Sequence, residues 1–176
     1  YGPTEGTVAA TYHLVGTHEV DISNGKPLNN VEIYLLDDDK QLVPGGVYGE
    51  IYIGGAGVAA GYLGKQDLTD AKFIDHPFSS TGKLYATGDW GKWKPDGNIK
   101  YQGRKDDQVK IRGYRIELEE ISTSIEKFEG ISSCFVLARK DNEDGTILIS
   151  YYPSEQLLSE AELTTYLSEE LPDYMI

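Results

Sequence analysis

Disulfide chemistry is closed to this chain, which has one cysteine, Cys134, in 176 residues. Without a second thiol no internal bridge forms, and the expected compartment is a reducing cytoplasm. Cys134 stands in the apolar run SSCFVLAR and is read as a packed thiol rather than a nucleophile. Histidine is scarce as well: His13, His18 and His76 are scattered and form no metal-ligand spacing with that cysteine. No apolar run approaches the ~20 residues that span a bilayer, so neither a membrane span nor a signal peptide is expected. Basic residues number 16 against 29 acidic, a net charge of -13 that argues against nonspecific nucleic-acid binding. A nucleotide site stays open, because one or two placed cations and a metal ion hold phosphates locally. Methionine is nearly missing too. The chain opens on Tyr1 and its one methionine is Met175, so the sequence is read as part of a longer one.

What is present fits a globular fold: 39% hydrophobic and 26% charged residues, enough to bury a core and too apolar for disorder. Up to about residue 104 the pattern is of short strands punctuated by glycine: VAATYHL, VEIYLL, GEIYIGG and GNIKYQG. Asp96 to Asn98 reads as a hairpin turn between two of them, and DLTDAKF as a short helix. Sequential short strands favour an antiparallel, barrel-like sheet over alternating strand–helix units.

After residue 104 the texture changes. DDQVKIRGYRI reads as two strands about a Gly113 turn. ELEEISTSIEKFEG follows as a helix, with Ile121, Ile125 and Phe128 on one face and Gly130 as its stop. SSCFVLARK and TILISYY are strands around the polar loop DNEDG. A last helix is capped by Ser159, with Glu162 three residues on, and ended by Pro172. The order β-β-α-β-β-α predicts a small α+β domain with its helices on one sheet face. The expected fold is therefore mixed α+β: a distorted antiparallel barrel-like part over residues 1–104, then a small α+β domain over 105–176.

Several stretches carry polar residues in patterns that chemistry uses. GGAGVAAG follows a strand and imitates a dinucleotide fingerprint at Gly55, Gly57 and Ala60. Gly61 and Gly64 break the helix that such a fingerprint requires, so a tight structural loop is the preferred reading. In YGPTEG, Gly2-Pro3 signals a turn. Thr4 is either a helix-capping residue or a donor to phosphate oxygens, Glu5 a hard ligand for Mg²⁺, and Tyr1 a ring for a base. In YATGDW, Asp89 is either a turn aspartate or an acceptor for a vicinal diol. In GRKDDQVKIRGYRIELEEI, Arg104 has a planar fork suited to ribose or phosphate oxygens, or belongs to a solvated linker.

Taken in order, YGPTE, GEIYIGGAGVAAGYL, YATGDW, GRKDDQVKIRGYRIELEEI and LPDYMI resemble successive core motifs of nonribosomal peptide synthetase adenylation domains, part of the adenylate-forming enzyme superfamily. The resemblance spans Tyr1 to Ile176, and NGKPLNNVEIYLLDDD between the motifs is similar too. It implies a C-terminal fragment of an ATP-dependent ligase. Such an enzyme joins an amino acid to AMP, releases pyrophosphate, and passes the acyl group to the phosphopantetheine thiol of a peptidyl carrier protein domain. By the same resemblance Tyr1 would contact adenine, Thr4 the α-phosphate and Glu5 Mg²⁺. Asp89 would hold the ribose hydroxyls with Arg104 beside it. Asp106 would be the hinge of the small domain, and the Gly113 loop would border the pantetheine tunnel. Val8 and Ala9 match two positions of the amino-acid pocket, most of which is expected upstream in the same adenylation domain.

Two departures stand out. Glu119 replaces the family's usual glycine. The family's Asn-Gly-Lys-Val/Leu-Asp motif, which follows LPxYM and carries a catalytic lysine, is not found, and Asn24 to Lys26 is in the wrong place for it. No catalytic residue is therefore assigned here. The fragment is expected to be inactive, and its YGPTEG motif to stand without its setting. Alternatives within the class are a D-alanine:carrier-protein ligase or an acyl-CoA synthetase relative; outside it, a noncatalytic interaction module.

Overall fold

The computed structural model describes residues 1–105, 107–141, 145–154 and 159–176. The chain divides into two compact units, Tyr1–Asp106 and Asp107–Ile176. The proposed hinge residue, Asp106, lies outside the described residues, as does most of the polar loop DNEDG.

The first unit begins with a 3-10 turn over Thr4–Gly6, followed by β1 (Thr11–Tyr12) and β2 (Lys26–Pro27), which pair antiparallel. The expected strand VAATYHL is thus reduced to two residues. Next come β3 (Val31–Leu36), β4 (Gly49–Gly55), the helix α1 (Gln66–Lys72), β5 (Phe73–Asp75), β6 (Lys83–Trp93) and β7 (Ile99–Arg104). The sheet runs β3-β4-β6-β5, with β7 also on β6, and every pairing is antiparallel. It curls into a half-barrel.

Strand periodicity sorts its side chains to two faces. Leu35, Ile51 and Ile99 pack on one, with Tyr1 against them; Leu36, Tyr52, Leu84 and Ala86 pack on the other. Covered on both sides, β4 is buried from Gly49 through Gly54. The β6–β7 hairpin closes where expected, with the Gly97 N–H on the Lys94 carbonyl and the Lys94 N–H on that of Asn98.

The second unit follows the predicted order. β8 (Val109–Ile111) and β9 (Tyr114–Ile116) form a hairpin, then come α2 (Leu118–Glu126), the hairpin of β10 (Phe135–Asp141) and β11 (Gly145–Tyr151), and α3 (Glu160–Glu170). The two hairpins are separate two-stranded sheets rather than one surface. Ile116, Ile121, Ile125, Val136, Leu163, Leu167 and Met175 form one apolar core, with Phe128 and Cys134 packed at its edge. Ser159 does occupy the N-cap of α3, yet its side chain makes no capping bond there.

Candidate nucleotide site

The stretch that carries Asp89 is neither a turn nor a plain strand. Along β4 and β6, Glu50 faces Trp90 and Tyr52 faces Ala86, so Ile51 alone stands opposite Thr87, Gly88 and Asp89. This bulge needs a left-handed residue, and Gly88 supplies it at φ 75. Side chains stitch it down. The Thr87 hydroxyl donates to the Ile51 carbonyl at 2.7 Å and accepts the Asp89 N–H at 3.0 Å. Gly88 N–H donates to the buried Glu50 carboxylate at 3.1 Å, which also accepts the Tyr52 hydroxyl at 3.2 Å.

Bulges re-aim side chains, and the beneficiary here is Asp89. One of its oxygens accepts Arg104 Nη1 at 2.8 Å, and the other accepts the Tyr1 hydroxyl. Arg104 is its cross-strand partner on β7. Burial, then the neighbouring Asp89 charge, pushes the Tyr1 phenol well above the usual tyrosine range, which keeps it a donor. Ring, carboxylate and guanidinium, from positions 1, 89 and 104, thus meet in one place. The Tyr1 carbonyl in turn accepts the N–H groups of Ala10 and Thr11 at 2.8 and 2.9 Å. Gly2 permits this fold-back, since a Cβ there would lie 2.4 Å from the Val8 carbonyl oxygen.

Glu5 is held separately. Its carboxylate is buried, and Oε1 accepts the Tyr62 hydroxyl at 2.6 Å. Two further bonds tie the same loops together: Ala59 N–H to the Glu5 carbonyl at 2.9 Å, and Thr7 Oγ1 to the Gly57 carbonyl at 2.6 Å. The glycine-rich stretch after β4 is therefore a structural platform for YGPTEG. Thr4 lies inside the 3-10 turn, whose N-cap is Pro3, so it caps nothing; it is exposed. Beyond it the backbone is strained, with Thr7 at φ 58 and Val8 at φ 69. The side chains of Val8 and Ala9 are exposed.

In the second unit, Arg112 and Gly113 make the β8–β9 turn with φ of 51 and 88, and a Cβ on Gly113 would meet no atom within 4 Å. Glu119 sits in the first turn of α2, where its charge suits the helix dipole. Three residues that organise the first unit's site were missed in the sequence: Tyr62, Glu50 and Thr87. Glu50 and Tyr52, two apart on one strand, carried a faint signal; Tyr62 carried none until its distant partner was known.

Metal binding can be tested on the donor set. Among the described residues no group of three His, Cys, Asp or Glu side chains could hold an ion. A lone carboxylate such as Glu5 fits a cation that brings other oxygen ligands with it, as Mg²⁺ on a phosphorylated nucleotide does. Among the described residues no helix is long and apolar enough to cross a membrane.

The fold occurs in known proteins. The AMP-binding enzyme family matches residues 1–63. Surfactin synthase subunit 3 of Bacillus subtilis (strain 168) is 44% identical over 179 residues, covering 100% of this chain and 14% of that protein. The crystal structure of IdnL1 superposes with a TM-score of 0.84 at 30% identity, over 99% of this chain and 37% of that one. An artificially fused adenylation–PCP di-domain nonribosomal peptide synthetase from Klebsiella oxytoca, NpsA-ThdA, gives 0.75 at 31% identity, over 99% and 33%. The chain belongs to the AMP-binding enzymes. Within them it falls among the adenylation domains of nonribosomal peptide synthetases, spanning a minor part of the length of each relative.

Proposed function

We propose that this chain is the part of an amino-acid-adenylating ligase that holds the nucleotide and carries the mobile small domain. The observation that supports this best is the Asp89 carboxylate, turned by a bulge toward the Tyr1 hydroxyl and gripped by Arg104 at 2.8 Å. In the proposed reaction an amino-acid carboxylate attacks the α-phosphorus of ATP, pyrophosphate leaves, and the aminoacyl-adenylate forms. The phosphopantetheine thiol of a peptidyl carrier protein domain then attacks the acyl carbon and AMP departs.

Each residue has a task in this reading. The ring of Tyr1 lies against adenine. Asp89 accepts both hydroxyls of the ribose diol, with Arg104 holding the carboxylate in orientation and in its charged form. Thr4 donates its free, exposed hydroxyl to the α-phosphate. Glu5 would hold Mg²⁺ through a hard oxygen. That ion supplies charge neutralisation on the phosphates when bound. Val8 and Ala9 line part of the amino-acid pocket. Residues 1–104 form the end of the large subdomain and 105–176 the small one, which swings about Asp106 and brings the Gly113 turn to the pantetheine arm. The di-domain relative, which joins an adenylation domain to a PCP, supports the choice of carrier.

The test is calorimetry of ATP·Mg²⁺ on the full-length protein and its Asp89→Ala variant, alongside amino-acid-dependent ATP–pyrophosphate exchange. Binding is expected to weaken by about 10- to 100-fold, the worth of hydrogen bonds to a charged acceptor. Equal affinity would defeat the ribose role. The 176 residues assayed alone are expected to give no exchange; robust exchange from them would defeat that part.

A further inference from the structure

We infer that Glu50 is a positioning residue for ribose recognition: by holding the Gly88 N–H it sets the direction of the next side chain, Asp89, and with it the preference for a nucleotide that carries a ribose diol. The proposal rests on the reading of Asp89 as the ribose acceptor.

Glu50 stands in β4, a strand buried on both faces, where apolar side chains are the rule; Ile51, Tyr52 and Ile53 follow it, all buried. A carboxylate in such a place costs free energy unless its oxygens are bonded. Both are. Oε1 accepts the Gly88 N–H at 3.1 Å, and Oε2 accepts the Tyr52 hydroxyl at 3.2 Å. The second bond steadies the first. Burial, then the neighbouring Glu50 charge, pushes the Tyr52 phenol well above the usual tyrosine range, so it remains a donor. Its oxygen in turn accepts Lys40 Nζ at 2.5 Å, from the turn that follows β3.

Gly88 needs such a hold. It has no Cβ to limit its backbone angles, and it sits at φ 75 in the bulge. The direction of the Asp89 side chain depends on the two rigid peptide planes on either side of Gly88. The first plane carries the Gly88 N–H and is held by Glu50. The second carries the Gly88 carbonyl, which accepts the Lys105 N–H at 2.8 Å, and the Asp89 N–H, which donates to Thr87 Oγ1 at 3.0 Å. Lys105 is ion-paired with Asp38, from the same turn that supplies Lys40. One turn thus braces both planes. Release of the first lets Gly88 rotate and carries Asp89 out of line.

The experiment is calorimetry on the full-length protein with ATP·Mg²⁺ and with 2′,3′-dideoxy-ATP·Mg²⁺, in wild type, Glu50→Leu, Glu50→Gln, Tyr52→Phe and Asp89→Ala. The ratio of the two affinities isolates the diol. Wild type is expected to favour ATP by about 10- to 100-fold, and Asp89→Ala to abolish that preference. Glu50→Leu should cut the ratio by about 10-fold, with the dideoxy affinity near wild type. Glu50→Gln retains an oxygen for the Gly88 N–H and should restore most of the ratio. Tyr52→Phe keeps the buried ring and removes the hydroxyl that steadies Glu50. A fall of about 3-fold is expected from it, and it carries the test if Glu50→Leu does not fold.

If Glu50→Leu weakens both ligands equally, Glu50 is merely structural and the proposal is overturned. If Asp89→Ala abolishes the preference while Glu50→Leu, or Tyr52→Phe in its place, leaves the wild-type ratio, the proposal alone falls. If wild type shows no preference, or Asp89→Ala keeps it, the reading of Asp89 falls and takes the proposal with it.

Discussion

Residues 1–106 and residues 107–176 reach stability by opposite means. The first unit buries Glu5, Glu50, Thr87 and Asp89 among its strands, and divides its apolar side chains between two small clusters, one on each sheet face. The second packs ten buried apolar residues into a single cluster; among its described residues the buried polar side chains are Gln108 and Ser124. Buried carboxylates are tolerable where each finds donors, and they then fix geometry sharply. A hydrocarbon core holds a domain together without dictating where a polar atom points. The unit proposed to hold the nucleotide is built in the first way. The unit proposed to swing is built in the second.

Three substitutions probe that contrast. The largest effect is expected from Ile125→Ala, which hollows the single core of the second unit at a residue 2% exposed. A cost of about 2–5 kcal/mol is expected, read as lost amide protection across residues 107–176 with the strands of the first unit still protected. Uniform loss across both units would break the comparison.

Thr87→Val comes next. It keeps the shape of a fully buried side chain but removes the donor to the Ile51 carbonyl and the acceptor of the Asp89 N–H. About 1–3 kcal/mol of stability should go, together with part of the ATP affinity, because the bulge aims Asp89. Unchanged ATP affinity would mean that the bulge does not aim it. The smallest effect belongs to Ser159→Ala in the second unit. A bonded N-cap is worth ~1 kcal/mol, but Ser159 makes no such bond. The thermal midpoint should barely move, and a clear drop would show that polar contacts matter more in this unit than its core implies.

Local pattern made much of this legible. The β6–β7 hairpin, α1 and the order of the second unit come from signals within a few residues of one another, whereas the motifs are identified by the resemblance of the whole ordered set to a known family. What escaped is long-range. Tyr1 meets Asp89 across 88 positions, and Tyr62 meets Glu5 across 57. Neither strand periodicity nor turn chemistry reports a pairing at such separations. The bulge at Gly88 escaped because it depends on the register of β4 against β6, a property of two strands together. YGPTEG was expected to stand without its setting; Tyr1 and Glu5 instead find partners on β6 and in the glycine-rich loop. Ser159 shows the reverse error, a sound capping pattern whose side chain does not bond.

The left-handed pair at Thr7 and Val8 bears on any attempt to vary the proposed amino-acid pocket. Val8 is a β-branched residue at φ 69, a disfavoured backbone conformation, and it is 81% exposed. A library randomised at position 8 will be skewed toward glycine and asparagine before any substrate is offered, because both relax the chain there. Selection for folded yield and selection for a new side chain would then reward the same clones for different reasons. The two screens have to be run apart.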